Sequence, residues 1–203
     1  CCASKGQELE KLAQQADQRR VLIIVLLINA VMFFLEFGAG IVAGSTALMA
    51  DATDMLGDAL VYGVSIYALD RSDRWKAGAA MFKGAFILAL GVGIVLNVIA
   101  KVQSGIPPSS TVMLAFGGLA LLANFACLRL LWRFRSHDVN MASTFECSRN
   151  DVISNVGVLV AAGAVALVNS PWPDILIGSA MAVLFLRSSL RVMADAAPQL
   201  RAA

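Results

Sequence analysis

Six long apolar stretches run through this chain and constrain its fold more than any other feature. Charged breaks, glycines and prolines separate them, and together they occupy most of the 203 residues. An apolar helix of about 20 residues crosses a bilayer, and backbone groups in hydrocarbon must be hydrogen-bonded within their own segment. We therefore predict an all-α membrane protein with six transmembrane helices, at residues 20–43, 45–69, 79–101, 111–133, 141–168 and 173–195.

The composition agrees with a bilayer-embedded chain. Hydrophobic residues make up 59% of it and charged residues 15%, whereas an ordinary soluble domain carries about 25% charged residues. The spans leave residues 1–19 as a cytoplasmic N-terminal segment, 20–195 as the transmembrane domain and 196–203 as a short cytoplasmic tail. No sizeable soluble domain fits, so we do not expect an enzyme.

Basic residues are distributed unevenly between the two sets of connections. They cluster before the first span, in the second and fourth connections and at the C-terminal end, while the opposite connections contribute only Lys101. The positive-inside rule then places both termini in the cytoplasm. A net charge of +2, without a basic patch interleaved with aromatic residues, excludes a nucleic-acid partner. We expect a protein in contact with lipid, in the cytoplasmic (inner) membrane of a bacterium.

The second apolar stretch contains three acidic residues. Asp51, Asp54 and Asp58 fall within one stripe of a helix at about 100° per residue. Because each ionisable side chain inside a span costs about 2.5 to 3.5 kcal/mol to insert, such residues indicate function. The alternative is a structural hydrogen-bond network between helices, but three acidic residues carry a high free energy of insertion for that role. Glu36, in the first stretch, either relays protons or hydrogen-bonds to a neighbouring helix.

The fifth apolar stretch presents a matching set of donors. Cys147 and Asp151 lie four residues apart on one helix face, with Asn150 beside them. Carboxylate oxygens combined with a thiolate suit Zn²⁺ or a similar borderline metal better than Mg²⁺ or Ca²⁺. Metal and protons compete for such donors, so metal loading should expel protons. Asp51 and Asn150 stay open, either as additional ligands or as residues of the access path.

Two segments of the sequence resemble motifs of the cation diffusion facilitator family of metal exporters. Residues 45–58 read STALMADATDMLGD, and residues 147–158 read CSRNDVISNVGV. The resemblance covers essentially the whole chain. It implies six spans with both termini inside, proton antiport and a homodimer. It also implies that the transport site consists of four residues, which are Asp54, Asp58, Cys147 and Asp151.

The chain departs from the family pattern in two places. Cys147 stands where the family usually has histidine, which makes the predicted site softer. Eight residues follow Asp195, so we expect the cytoplasmic metal-sensing domain of many members to be absent. In relatives, a lysine near the position of Lys83 pairs with an aspartate after the sixth span, which implies an ion pair between Lys83 and Asp195 associated with the dimer.

These observations predict a proton-coupled secondary exporter of divalent transition metals. Zn²⁺ is the expected cargo, with Cd²⁺, Co²⁺ and Fe²⁺ as alternatives, and no prosthetic group is expected. The rival function is proton-coupled export of small organic cations by the same carboxylates. Organic cations are usually held by aromatic faces, but aromatic residues make up only 7% of the chain. A membrane scaffold without transport activity would leave the acidic residues unexplained.

Overall fold

The fold was taken from a computed structural model, which describes residues 2–68, 73–135 and 139–201 of the chain, with most side chains over 16–63, 81–135 and 144–194. The described chain forms six α-helices and no strand. Their bounds are α1 (Cys2–Ala43), α2 (Thr46–Ala68), α3 (Asp73–Ser104), α4 (Ser110–Trp132), α5 (Val139–Val168) and α6 (Trp172–Arg201). The all-α prediction is confirmed, and each predicted span coincides with one helix over most of its length.

Glycine and proline end the helices where the sequence analysis placed breaks. Gly44 has a φ of +62° and Gly105 a φ of +65°, a left-handed conformation that glycine adopts without a steric penalty. Gly44 thus ends α1, and α2 begins two residues later. Gly105 follows the last turn of α3. At the start of α4, the Ser109 N–H donates to the Ala43 carbonyl over 2.9 Å, which joins two of the three connections at this end of the bundle.

Helix α1 is longer than the span predicted within it. It continues from Cys2 to Ala43 without a break at the predicted boundary between residues 19 and 20. The polar N-terminal segment is therefore a helical extension of the first apolar stretch. Similarly, α6 extends past the predicted end of the sixth span at residue 195 to Arg201.

Within the part of the chain that the structure describes, five of the six helices are long and apolar enough to cross a membrane. These segments are Ala16–Ala43, Gly84–Ser104, Ser110–Trp132, Thr144–Val168 and Trp172–Arg191. The exception, α2, has 23 residues and a length of about 34 Å at 1.5 Å per residue. It is long enough to span, but its three aspartates set it apart from the apolar helices.

The position of α2 explains how it accommodates acidic residues. It contacts all five other helices, while the pairs α1–α2, α3–α6 and α4–α5 make the most extensive contacts. Alanines dominate the buried cluster around its first half, where they let the helices approach closely. In contrast, large apolar side chains such as Leu167, which is 88% exposed, cover the outside of the bundle. An apolar exterior, with the buried polar side chains kept inside the bundle, is the arrangement of an integral membrane protein.

A buried ion pair joins α3, α6 and the connection between α1 and α2 at one end of the bundle. Lys101 of α3 is 6% exposed and Asp174 of α6 is fully buried, with Nζ and Oδ2 2.5 Å apart. Lys101 also donates to the Gly44 carbonyl oxygen. Lys101 is the only basic residue that the charge pattern assigned to the connections on this side. The structure shows that its charge is neutralised inside the protein.

Candidate metal centre

The three aspartates of α2 differ in burial along the helix. Asp51 is 2% exposed, whereas Asp54 and Asp58 are half-buried. As their spacing predicts, they occupy successive turns of one stripe. Asp51 is nearest the end of the bundle that holds the Lys101–Asp174 ion pair, and Asp58 is farthest from it. The stripe thus runs from a buried position at Asp51 to more exposed positions at Asp54 and Asp58.

Helices α2 and α5 bring two of the predicted ligands together. The Asp58 carboxyl group is in hydrogen-bonding contact with that of Asp151, and Asp54 also lies within electrostatic reach of Asp151. Two carboxyl groups meet in this way only when a cation, either a proton or a metal ion, lies between them or on one of them. This contact joins α2 to α5 at two of the four predicted ligands, and their role as ligands stays a prediction.

Tyr62 is a neighbour of the candidate centre that the sequence analysis did not identify. It is buried, and its hydroxyl group donates to Asp58 Oδ2 over 3.2 Å. It also lies within electrostatic reach of Asp151 and Cys147. The signal was present in the sequence, because Tyr62 follows Asp58 by four residues and so continues the acidic stripe.

The remaining predicted donors of α5 lie on more open parts of that helix. Cys147 is exposed, one turn before Asp151, and Asn150 is exposed as well. Within residues 16–63, 81–135 and 144–194, no three His, Cys, Asp or Glu side chains converge as a metal-binding group. The structure therefore brings Asp58 and Asp151 into contact, and the complete four-residue coordination stays a prediction.

Asp51 takes part in a different set of contacts, which links four helices. Asn155 of α5 donates through Nδ2 to Asp51 Oδ2, and Asn124 of α4 donates through Nδ2 to Asn155 Oδ1 over 3.0 Å. On the other side of Asp51 lies the carboxyl group of Glu36 from α1. These contacts place Asp51 in an enclosed polar network. Its two predicted roles, as an additional ligand or as a residue of the access path, stay predictions.

Two further predicted residues have side chains outside the described part of the structure. They are Lys83 on α3 and Asp195 on α6. The helices that carry them do pack together nearby, since Gly84 of α3 faces Met193 of α6. The proposed ion pair between Lys83 and Asp195 stays a prediction.

Comparison with known proteins places these observations in a family. Residues 22–200 match the family described as the cation efflux transmembrane domain. The metal cation efflux system protein CzcD of Cupriavidus metallidurans is 24% identical over 202 residues, covering 88% of this chain and 63% of the relative. The cadmium, cobalt and zinc/H(+)-K(+) antiporter of Bacillus subtilis is 24% identical over 197 residues, covering 89% and 62%. The zinc transporter ZitB of Escherichia coli is 24% identical over 197 residues, covering 91% and 63%.

This chain therefore spans less than two thirds of the length of each of these relatives. The match to the family, by contrast, reaches all six helices and includes the residues of α2 and α5 that form the candidate centre. The acidic stripe of α2, its contact with Asp151 and the apolar exterior of the bundle all agree with that match. The chain belongs to the family of the cation efflux transmembrane domain.

Proposed function

We propose that this chain is a proton-coupled secondary exporter of divalent transition-metal cations, with Zn²⁺ as the main cargo and Cd²⁺, Co²⁺ and Fe²⁺ as further candidates. The transport site consists of Asp54, Asp58, Cys147 and Asp151. The observation that carries the proposal is the contact between the carboxyl groups of Asp58 and Asp151, on two different helices inside the bundle. The names of the relatives, which refer to metal efflux, zinc transport and antiport with H⁺, support the choice of cargo and of counter-ion.

The chemistry of the contact explains how export can be coupled to proton entry. Two carboxyl groups that touch need a cation, and a proton and a divalent metal compete for the same oxygens. Binding of metal from the cytoplasm releases protons, and uptake of protons from the outer side releases the metal. The Tyr62 hydroxyl group, which donates to Asp58, holds that carboxylate in place through the exchange.

The proposed topology has six spans, with α2 as the span sheltered by the other five. Both termini lie in the cytoplasm, with 1–19 and 196–203 as cytoplasmic segments, and the protein resides in a bacterial inner membrane. In support, the connections opposite the termini carry no Lys or Arg, and Lys101, in the last turn of α3, is buried against Asp174. The family resemblance supports a homodimer, which chemical cross-linking in native membranes would detect as a species of twice the monomer mass.

Transport in reconstituted vesicles tests the proposal. Purified protein in proteoliposomes, with a zinc-sensitive dye inside, should accumulate Zn²⁺ when a proton gradient is imposed. The Asp58→Asn variant should lose this uptake, because an amide is a poorer metal ligand and cannot exchange a proton. Asp17→Asn makes the same chemical change at an exposed position of α1 and should retain uptake. Absence of uptake by the wild-type protein, or normal uptake by Asp58→Asn, would refute the assignment.

A further inference from the structure

Two acidic side chains that the proposed metal site does not use are buried against each other. Glu36 of α1 is 0% exposed and Asp51 of α2 is 2% exposed. Their carboxyl groups face each other within hydrogen-bonding range. The contact joins α1 to α2, two helices that pack extensively along their length. It therefore lies inside the bundle and out of contact with water or lipid.

Among the side chains that the structure describes, no cation compensates this pair. Among the described side chains, none donates a hydrogen bond to Glu36 Oε1 or Oε2. The only buried basic side chain in the described regions is Lys101, and it is paired with Asp174. Two ionised carboxylates in contact and away from water repel each other without any offsetting interaction. A hydrogen bond between two carboxyl groups, however, forms when one of them carries a proton.

The neighbouring amides determine where that proton can lie. Asn155 donates to Asp51 Oδ2, so this oxygen acts as an acceptor and is not the protonated one. Asn124 donates to Asn155 and holds its amide group in this orientation. The proton is therefore on Glu36 or on Asp51 Oδ1. This network keeps Asp51 fixed while a proton is gained or lost.

The number of donors distinguishes a proton from a metal ion at this position. The pair supplies only carboxylate oxygens from two residues, and it lacks the sulfur or nitrogen donors preferred by transition metals. Zn²⁺ takes about four ligands, and Mg²⁺ and Ca²⁺ take about six or more. Two carboxyl groups in an enclosed site do not provide these coordination shells. They are sufficient for one shared proton, as in other pairs of touching carboxyl groups.

We propose that Glu36 and Asp51 form a proton-carrying pair, separate from the metal ligands, that supplies a counter-transported proton. The idea rests on the proposed export function. Without metal, the pair holds one proton and has a net charge of −1. When a divalent cation binds around Asp54, one turn further along α2, its positive charge allows the pair to release this proton to the cytoplasm. When the metal leaves on the outer side, the pair takes up a proton there, so that one proton enters for each metal exported.

The surrounding ionisable groups agree with this coupling. The groups on the packed elements are Asp54 and Asp58 of α2 and Asp151 of α5, all proposed metal ligands, while the described part of α4 contributes the neutral Asn124. Asp51 is also within electrostatic reach of Asp151. A change in charge at the proposed metal site therefore acts electrostatically on the Glu36–Asp51 pair, without direct contact.

A proton count tests the proposal with the complete protein. Proteoliposomes with a pH-sensitive dye and a zinc-sensitive dye report the number of protons moved per Zn²⁺. The Glu36→Gln variant keeps the shape of the side chain but cannot exchange a proton, so the ratio should fall by one proton per Zn²⁺. Asp17→Asn, on the same helix and exposed, should leave the ratio unchanged. A Glu36→Gln ratio equal to that of the wild type would overturn the proposal.

Infrared difference spectroscopy provides a readout that does not depend on transport. Addition of Zn²⁺ to the detergent-purified wild-type protein should decrease the band of protonated carboxyl groups, and this decrease should be smaller in Glu36→Gln, which retains only the contribution of Asp58 and Asp151. If the wild-type protein does not transport metal, the proposed export function is wrong. The infrared band still shows whether the Glu36–Asp51 pair holds a proton. A band change in Glu36→Gln as large as that of the wild type overturns the proposal that Glu36 and Asp51 hold an exchangeable proton. If Glu36→Gln does not fold, Asp51→Asn is measured in both assays, with the same outcomes deciding.

Discussion

The Asp174 carboxylate of α6 accepts a hydrogen bond from the Thr46 backbone N–H at the start of α2, over 2.8 Å. Its other oxygen accepts from the Ala47 N–H over 3.1 Å and from the Ser45 hydroxyl over 2.6 Å. The first N–H groups of a helix have no partner within that helix, and here one carboxylate from another helix satisfies two of them. Because Lys101 neutralises the same carboxylate, the start of α2 is held to both α3 and α6.

Removal of the lysine should destabilise the protein. Lys101→Met leaves the buried Asp174 carboxylate without its counter-ion, which costs about 3 to 5 kcal/mol in comparable buried pairs. We expect a clearly lower midpoint of thermal unfolding in detergent, followed by the fluorescence of the tryptophans. Arg19→Gln removes an exposed positive charge and should change stability by less than about 0.5 kcal/mol. Equal midpoints for the two variants would contradict the structural role of the ion pair.

Glycine at position 178 is required for the close approach of α6 to the start of α2. A Cβ atom at Gly178 would lie 2.9 Å from the backbone carbonyl carbon of Thr46. Gly178→Ala should therefore destabilise the protein by about 1 to 3 kcal/mol, the usual cost of overpacking. Gly163→Ala is the matched control, because no atom lies within 4 Å of its Cβ position. There, alanine should stabilise the helix by up to about 1 kcal/mol. Unfolding midpoints that shift in the same direction would refute this difference.

The acidic stripe makes a prediction for transport alone. Asp54→Ala or Asp58→Ala should reduce uptake of divalent metal into inside-out vesicles to the background level, because each removes a proposed ligand. The half-buried positions of both residues should allow the variants to fold and insert. Membrane yield and gel-filtration profiles check folding, and metal-dye fluorescence checks uptake. Transport close to that of the wild type in either variant would exclude α2 as the transport site.

Cys147 makes a separate prediction about selectivity. A thiolate is softer than an imidazole, so the wild type should favour Cd²⁺ over Mn²⁺, and Cys147→His should shift the preference towards Zn²⁺ without loss of transport. Competition between Cd²⁺, Zn²⁺ and Mn²⁺ measures the order of preference. In the rival arrangement Cys147 only packs, and oxygen donors complete the coordination. If Cys147→Ala retained both the rate and the order of metals, that rival would hold.

The sequence by itself was sufficient to predict the helices and the ionisable residues that lie on each of them. Helix ends at Gly44 and Gly105 follow from local backbone preferences. The apolar stretches follow from the cost of exposing backbone groups to hydrocarbon. The stripe of three aspartates follows from the periodicity of one helix. All of these are short-range properties, readable within one turn or one span, and the structure agrees with them to within a few residues over the apolar parts.

The tertiary structure alone decided which polar groups meet. Periodicity assigned Asp51, Asp54 and Asp58 to one face, but it could not show that Asp58 meets Asp151 while Asp51 meets Glu36 and Asn155. Nor could a count of loop charges show that Lys101 is buried against Asp174, 73 residues further along the chain. Such partnerships depend on the depth and rotation of each helix against the others. Packing of all six helices determines both, and no single segment contains that information.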